Sequence, residues 1–229
     1  MCCFCFWEVV SSMIIGFFGK PRSGKTTALA SFVAKSQIHS RINTVLDKIH
    51  FPKRLRFRAY DAIYSTEYIK GTIAIHPYDI GLFDPAVNSL IVIGEAGTYF
   101  NNRLSSKIPT WCTDFFALHG HYGCTIVWDS QTVDVDKKLR NRTELMYHVR
   151  KGRLFPWLSF QRRIWYDVTV NNDNHDLCEG YNISAGLLKP LHYLIGINKI
   201  LFRPLFYRWF DSFNKPLIMR KVPEMFERW

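Results

Sequence analysis

Gly19-Lys20-Pro21-Arg22-Ser23-Gly24-Lys25-Thr26 constrains this chain more than any other stretch. It fits the pattern G-x-x-x-x-G-K-[ST], and its flanks fit too. Met13-Ile-Ile-Gly-Phe-Phe18 ahead of it is a short apolar run of the buried-strand kind. Thr26 to Ser40 behind it carries helix-forming Ala, Leu and Lys. Strand, glycine-punctuated turn and helix are the opening of an α/β domain. In that setting the glycines let backbone N–H groups close around a phosphate. Lys25 then reaches the β- and γ-phosphates, Thr26 offers its hydroxyl to Mg²⁺, and the helix N-terminus adds its dipole. Gly19 to Thr26, with Thr27 beside them, are thus the candidate nucleotide-binding residues, and ATP and Mg²⁺ the expected ligands. A plain basic turn would explain Arg22, but not both glycines followed by Lys25-Thr26.

The rest of the chain extends the same architecture. Ser89–Ile93 and Cys124–Trp128 are further apolar strands, and Leu145–Val149 is another. Ala62–Thr66 and Thr72–His76 read as short strands. Thr113–Leu118 and Val135–Arg142 read as helices. Apolar strands separated by helices predict a mainly parallel β-sheet covered on both faces. Hydrophobic residues at 48% and charged residues at 21% are globular usage and exclude a disordered chain. Thirty Lys and Arg against nineteen Asp and Glu leave a net charge of +11, which favours acidic partners: nucleotide, nucleic acid or an anionic membrane surface. The six cysteines lack framework spacing and predict free thiols. The best candidate membrane span, Ile183 to Phe202, is broken by Lys189, Pro190, His192 and Lys199. Glu8 and the lack of a basic start argue against a secretory signal.

A phosphate loop that hydrolyses ATP usually works with an aspartate and a glutamate at the end of a second strand, for Mg²⁺ and for water. Here the strand from Leu90 to Ile93 ends in Gly94-Glu95, so the glutamate is present and the aspartate is not. Gln131, past the strand from Cys124 to Trp128, is placed to sense a γ-phosphate or orient water; a solvent-facing turn residue is the competing reading.

Together these segments resemble the zonular occludens toxin family, the assembly ATPases of filamentous phages. The carrying residues are GFFGKPRSGKTT at 16–27, AIYST at 62–66, IKGTIAIHPYDIG at 69–81, SLIVIGEAGTYFNNR at 89–103, FFALHGHYG at 115–123 and CTIVWDSQTVDVDKKLRNRTELMYHVRKG at 124–152. The resemblance implies a P-loop NTPase fold and an ATP-driven role in moving or assembling phage DNA and coat protein. It places the protein peripherally on the cytoplasmic face of the host inner membrane. Phage or host membrane assembly proteins, single-stranded DNA and further copies of the chain are the implied partners. Lys25 and Thr26 carry over as phosphate and Mg²⁺ groups, Glu95 as catalytic carboxylate and Gln131 as sensor. Arg103 and Arg140 match basic family positions. Two departures bear on hydrolysis: Gly94 stands where the family has aspartate, and Gly120 where it has an arginine between two histidines. They keep open a nucleotide-binding morphogenesis or scaffold protein with little hydrolysis, and the net charge keeps open a DNA-translocating motor.

The expected organisation is an N-terminal extension at 1–12, a nucleotide-binding domain at 13–152, and a β-rich, basic, aromatic segment at 153–229. Within the last, Trp157 to Val170 predicts an antiparallel hairpin or edge strands. Leu191 to Arg203 predicts a basic amphipathic helix, with His192, Gly196, Lys199 and Arg203 on one face, suited to an anionic membrane surface, to a partner or to packing on its own domain, and Arg203, Arg208, Trp209 and Phe210 would suit single-stranded nucleic acid. Cys112, His119, His121 and Cys124 are metal-ligand types, but without the paired spacing of a zinc site.

Overall fold

The computed structural model describes residues 12–50, 52, 57, 59–131, 135–164 and 197–210. In chain order these form β1 (Ile14–Phe18), α1 (Lys25–Lys48), β2 (Ala62–Ser65), β3 (Ile73–Ala74), β4 (Ser89–Ile93) and α2 (Ala96–Tyr99). Then come α3 (Thr110–Leu118), β5 (Thr125–Ser130), α4 (Lys137–Asn141), β6 (Leu145–Lys151), β7 (Leu158–Ile164) and β8 (Ile197–Phe202). The eight strands make one sheet in the order β3-β2-β4-β5-β1-β6-β7-β8. From β3 to β6 every pairing is parallel, and β7 and β8 add antiparallel strands at one edge.

The apolar runs explain the centre of the sheet. β1, β4 and β5 are buried at every residue, because helices cover both faces of a parallel sheet. Alternate side chains divide between the faces. Ile14, Ile91, Ile93, Ile126 and Trp128 pack with Tyr99 of α2, Phe100 just past it, Phe115 and Phe116 of α3 and Leu139 of α4. Ile15, Phe17, Leu90, Val92 and Val127 pack with Ala28, Leu29, Ala30 and Val33 of α1. The first half of α1 is thereby fixed; its continuation to Lys48 exposes Ile42 and Val45, so no buried stripe marks it in the sequence.

The predicted helix at 191–203 is corrected. Its described part, Ile197–Phe202, is strand β8, and Arg203–Trp209 continues as a 3-10 segment. β7 offers an open edge, and pairing Leu158 with Phe202 and Ser159 with Leu201 outweighs the helical periodicity. The described part of the predicted hairpin is β7, which lies between β6 and β8. Phe206, Trp209 and Phe210 pack against the α1 side of the core, so these aromatic residues are engaged by their own domain. Residues 1–11, which hold Cys2, Cys3 and Cys5, the polar run at 171–176 and the tail at 211–229 lie outside the described residues.

Candidate functional site

The loop after β1 has the shape its glycines foretold. The Gly19 N–H donates to the Ser130 carbonyl at 3.3 Å, and the Ser23 N–H turns back to Lys20 O at 3.2 Å. Gly24 sits at φ 103°, ψ 24°, a left-handed conformation that suits glycine, and a Cβ there would meet Ser159 Oγ at 2.8 Å. A Cβ at Gly19 would run into the Val149 carbonyl oxygen. α1 begins at Lys25 with no side-chain cap and no acidic residue in its first turn. Amides at such a helix start, with the helix dipole behind them, are of the kind that accept an anion. Lys25 is 6% exposed, Ser23 and Thr27 are buried, Thr26 is half-buried, and Lys20, Pro21 and Arg22 face solvent. The sheet puts this loop at the carboxyl edge of its strands, where open α/β sheets place their ligands.

Three other strands end on the same edge. β4 delivers Gly94 and Glu95, β5 delivers Asp129 to Gln131, and β2 delivers Thr66 and Glu67. The Gly94 N–H donates to Thr66 Oγ1 at 2.9 Å. Glu95, at φ 48° and ψ 48°, donates its N–H to Asp129 Oδ1 at 2.6 Å. Gln131 Nε2 donates to Glu95 Oε1 at 3.1 Å, so the two residues expected to act on water and γ-phosphate are in contact. Asp129 is 1% exposed. Burial pushes its carboxyl up to about 7; the Glu95 N–H pulls the other way, the Glu95 carboxylate adds to the rise, and the Lys25 ammonium opposes it. Glu67 is pushed up to about 8, first by burial and then by the charges of Asp129 and Glu95. The Tyr99 hydroxyl rises to about 12, through burial and then Glu67 and Glu95.

Asp129 and Glu67 were not foreseen as site residues. Asp129 had a signal: it follows the apolar run Thr125–Trp128 in a strand that neighbours β1. Glu67 had a weaker one, as the first charge past Ala62–Ser65. Gly94 now has a different meaning. A Cβ built there would fall on Glu67 Cγ, with Glu67 Cδ and Oε1 both 2.6 Å away. An aspartate at 94 does not fit while Glu67 is in place. Arg103 is exposed on the 3-10 segment Asn102–Lys107, and Arg140 lies half-buried on α4, whose Leu139 packs on the face opposite α1.

The oxygen donors of this edge, the Thr26 hydroxyl and the carboxylates of Glu67, Glu95 and Asp129, are of the type Mg²⁺ takes, and buried like charges favour a cation among them. Among the described residues no three His, Cys, Asp or Glu side chains are placed to hold a metal by themselves. Mg²⁺ that arrives with nucleotide phosphates keeps several waters and needs only one or two protein carboxylates. Cys112 and Cys124, the two thiols of the Cys112, His119, His121 and Cys124 set, are buried and free. Also among the described residues, no helix is long and apolar enough to cross a membrane.

No curated protein matches the chain. Among solved structures, the N-terminal domain of zonular occludens toxin from Neisseria meningitidis superposes with a TM-score of 0.51 at 17% identity, covering 88% of this chain and 100% of that one. The genome packaging NTPase B204 from Sulfolobus turreted icosahedral virus 2, in complex with sulfate, matches at TM-score 0.39 and 16% identity over 63% of this chain and 76% of its own. The same NTPase in complex with AMPPCP matches at TM-score 0.38 and 15% identity, over 62% and 77%. The family model described as zonular occludens toxin (Zot) matches residues 13–195, beyond the segment at 13–152 that carried the resemblance. With most of its length under that model, and with the mostly parallel sheet of a P-loop NTPase, the chain belongs to the zonular occludens toxin family.

Proposed function

We propose that this protein binds Mg·ATP at Gly19–Thr27 and hydrolyses it to drive filamentous-phage assembly and extrusion, working peripherally at the cytoplasmic face of the host membrane. The observation that carries the nucleotide part is the start of α1: an uncapped helix N-terminus, opened by a left-handed Gly24, with Lys25 buried against the carboxylate edge of the sheet. The assembly role and the membrane rest on the family and on the net charge of +11.

In this reading the amides of the loop and of the first turn bind the phosphates, and Lys25 neutralises their charge. Thr26, with the carboxylates at the ends of β2, β4 and β5, would hold Mg²⁺, which supplies charge neutralisation at the β- and γ-oxygens. Glu95 orients the attacking water. Gln131 holds Glu95 through the 3.1 Å hydrogen bond, and a γ-phosphate that engages the amide would free the carboxylate for that task. A DNA-translocating motor is the second reading, favoured by the same positive charge.

Calorimetry with Mg·ATP tests the core. Lys25→Ala leaves phosphate charge unpaired, so affinity should fall by at least about tenfold, or about 1.4 kcal/mol. Equal binding by both proteins would remove the nucleotide reading. Turnover with single-stranded DNA or anionic liposomes then separates the cargo readings: stimulation by DNA that fades with salt favours the motor. Binding without turnover under every condition would leave a scaffold.

A further inference from the structure

We infer that Glu67, from strand β2, supplies the carboxylate that Gly94 lacks, and acts on the cation of bound Mg·ATP; the inference rests on the nucleotide reading above.

First, the space beside Gly94 is already taken. The parallel ladder of β2 and β4 ends on the pair Ser65 and Val92, and Glu67 and Gly94 each follow two residues beyond it. The place where a side chain at 94 would begin is filled by Glu67 Cγ, and the Glu67 carboxyl carbon and Oε1 lie 2.6 Å from it. A carboxylate therefore already stands where one from position 94 would stand. Second, the placement is fixed. Ser65 Oγ accepts the Glu67 N–H at 3.1 Å and donates to the Glu67 carbonyl at 2.8 Å. Thr66 Oγ1 accepts the Gly94 N–H at 2.9 Å, tying the two turns together. Third, Glu67 feels the charges of Asp129 and Glu95, and Asp129 feels that of Lys25. The carboxylate thus belongs to the edge that faces the phosphate loop. A cation there relieves repulsion that the protein alone leaves standing. Gly94 and Glu67 are then one device: the glycine makes room, and the glutamate of the next strand fills it. Glu95 need not move to the metal and stays free for water.

The test compares wild type, Glu67→Gln, Glu67→Ala and the double variant Glu67→Ala/Gly94→Asp. ATP affinity is measured by calorimetry in Mg²⁺ and in EDTA, with turnover alongside. Glu67→Gln keeps shape and loses charge. It should forfeit about tenfold or more of the gain that Mg²⁺ gives to ATP affinity, while affinity in EDTA stays within about threefold. The double variant, which returns a carboxylate from position 94 into vacated space, should recover most of the Mg²⁺ gain and of the turnover lost in Glu67→Ala. The inference is overturned if Glu67→Gln keeps the full gain, or if the folded double variant does no better than Glu67→Ala. Should wild type bind ATP in neither buffer, the nucleotide reading itself falls. Should wild type bind and Lys25→Ala not, while Glu67→Gln is unchanged, only Glu67 falls.

Discussion

Gly94→Ala is a one-carbon probe of how the strand ends fit together. The added Cβ falls on Glu67 Cγ, with Cδ and Oε1 at 2.6 Å, so Glu67 must leave its place. Forcing a methyl into an occupied buried site costs about 1–3 kcal/mol. In a chain of this size that lowers Tm by roughly 3–10 °C. Gly94 is not among the glycines at positive φ, so the alanine brings no backbone strain. In the Glu67→Ala background the obstacle is gone. There the same substitution should be neutral or stabilising by about 0.4–1 kcal/mol, because alanine restricts the unfolded chain more than glycine does. The cost therefore vanishes or changes sign with the residue at 67, and the coupling between the two positions comes to about 1–4 kcal/mol. Urea unfolding of the four proteins, without nucleotide or Mg²⁺, measures it. An alanine at 94 that costs nothing in wild type, or that costs the same in both backgrounds, would refute the packing on which the role of Glu67 rests.

Asp129→Asn keeps an acceptor for the Glu95 N–H and removes a desolvated charge, so Tm at pH 8 should not fall. Asp129→Leu loses the acceptor and should cost about 1–3 kcal/mol in urea unfolding. Loss of stability in the Asn variant would contradict the electrostatic account. Lys199, over the Phe32 ring, is pushed down to about 7 by burial, with Lys35 adding to the effect. A base held below its ordinary 10.5 takes up a proton on unfolding, so its penalty is full below about pH 7 and is relieved as pH rises from there towards 10.5. Lys199→Met should raise Tm most near pH 6–7, the gain shrinking by pH 10; a gain that is flat across this range would be the contrary result.

The sheet was legible because burial on both faces leaves no freedom in composition: Ser89–Ile93 is a strand as read, and Cys124–Trp128 is one shifted by a residue or two. The turn between β1 and α1 was legible because its glycines answer to steric limits, Gly24 being left-handed at φ 103°. Asp129 and Glu67 were not, since their role depends on which strands are neighbours. β2 meets β4, and β4 meets β5, only through crossovers that sequence spacing does not encode. The same cause hid β8. Its periodicity permits a helix, and only the open edge of β7, more than thirty residues back in the chain, selects the strand. Gly94 is the instructive residue. Read alone it is a missing acid; read with the register of β2 it is room for one.

The antiparallel edge bears on the phosphate loop as well. Ser159 of β7 donates its hydroxyl to the Ser23 carbonyl at 3.0 Å, and the same side chain stands against Gly24. Arg203, just past β8, closes the other side: its Cδ lies 3.5 Å from the point where a Gly24 side chain would begin, and its own Nη1 donates to Pro156 O at 3.2 Å. The loop is thus held by strands outside the segment that contains its motif. Ser159→Ala removes one buried hydrogen bond and leaves the Ser23 carbonyl without it, a net loss of about 0.5–1.5 kcal/mol. If that bond sets the loop in its phosphate-binding shape, the loss appears in the affinity for Mg·ATP, as a fall of roughly two- to tenfold. If the bond only supports the fold, Tm falls and affinity does not. Calorimetry and thermal unfolding on the same samples separate the two. Affinity within twofold of wild type, together with a lower Tm, would show that β7 stabilises the sheet without shaping the site.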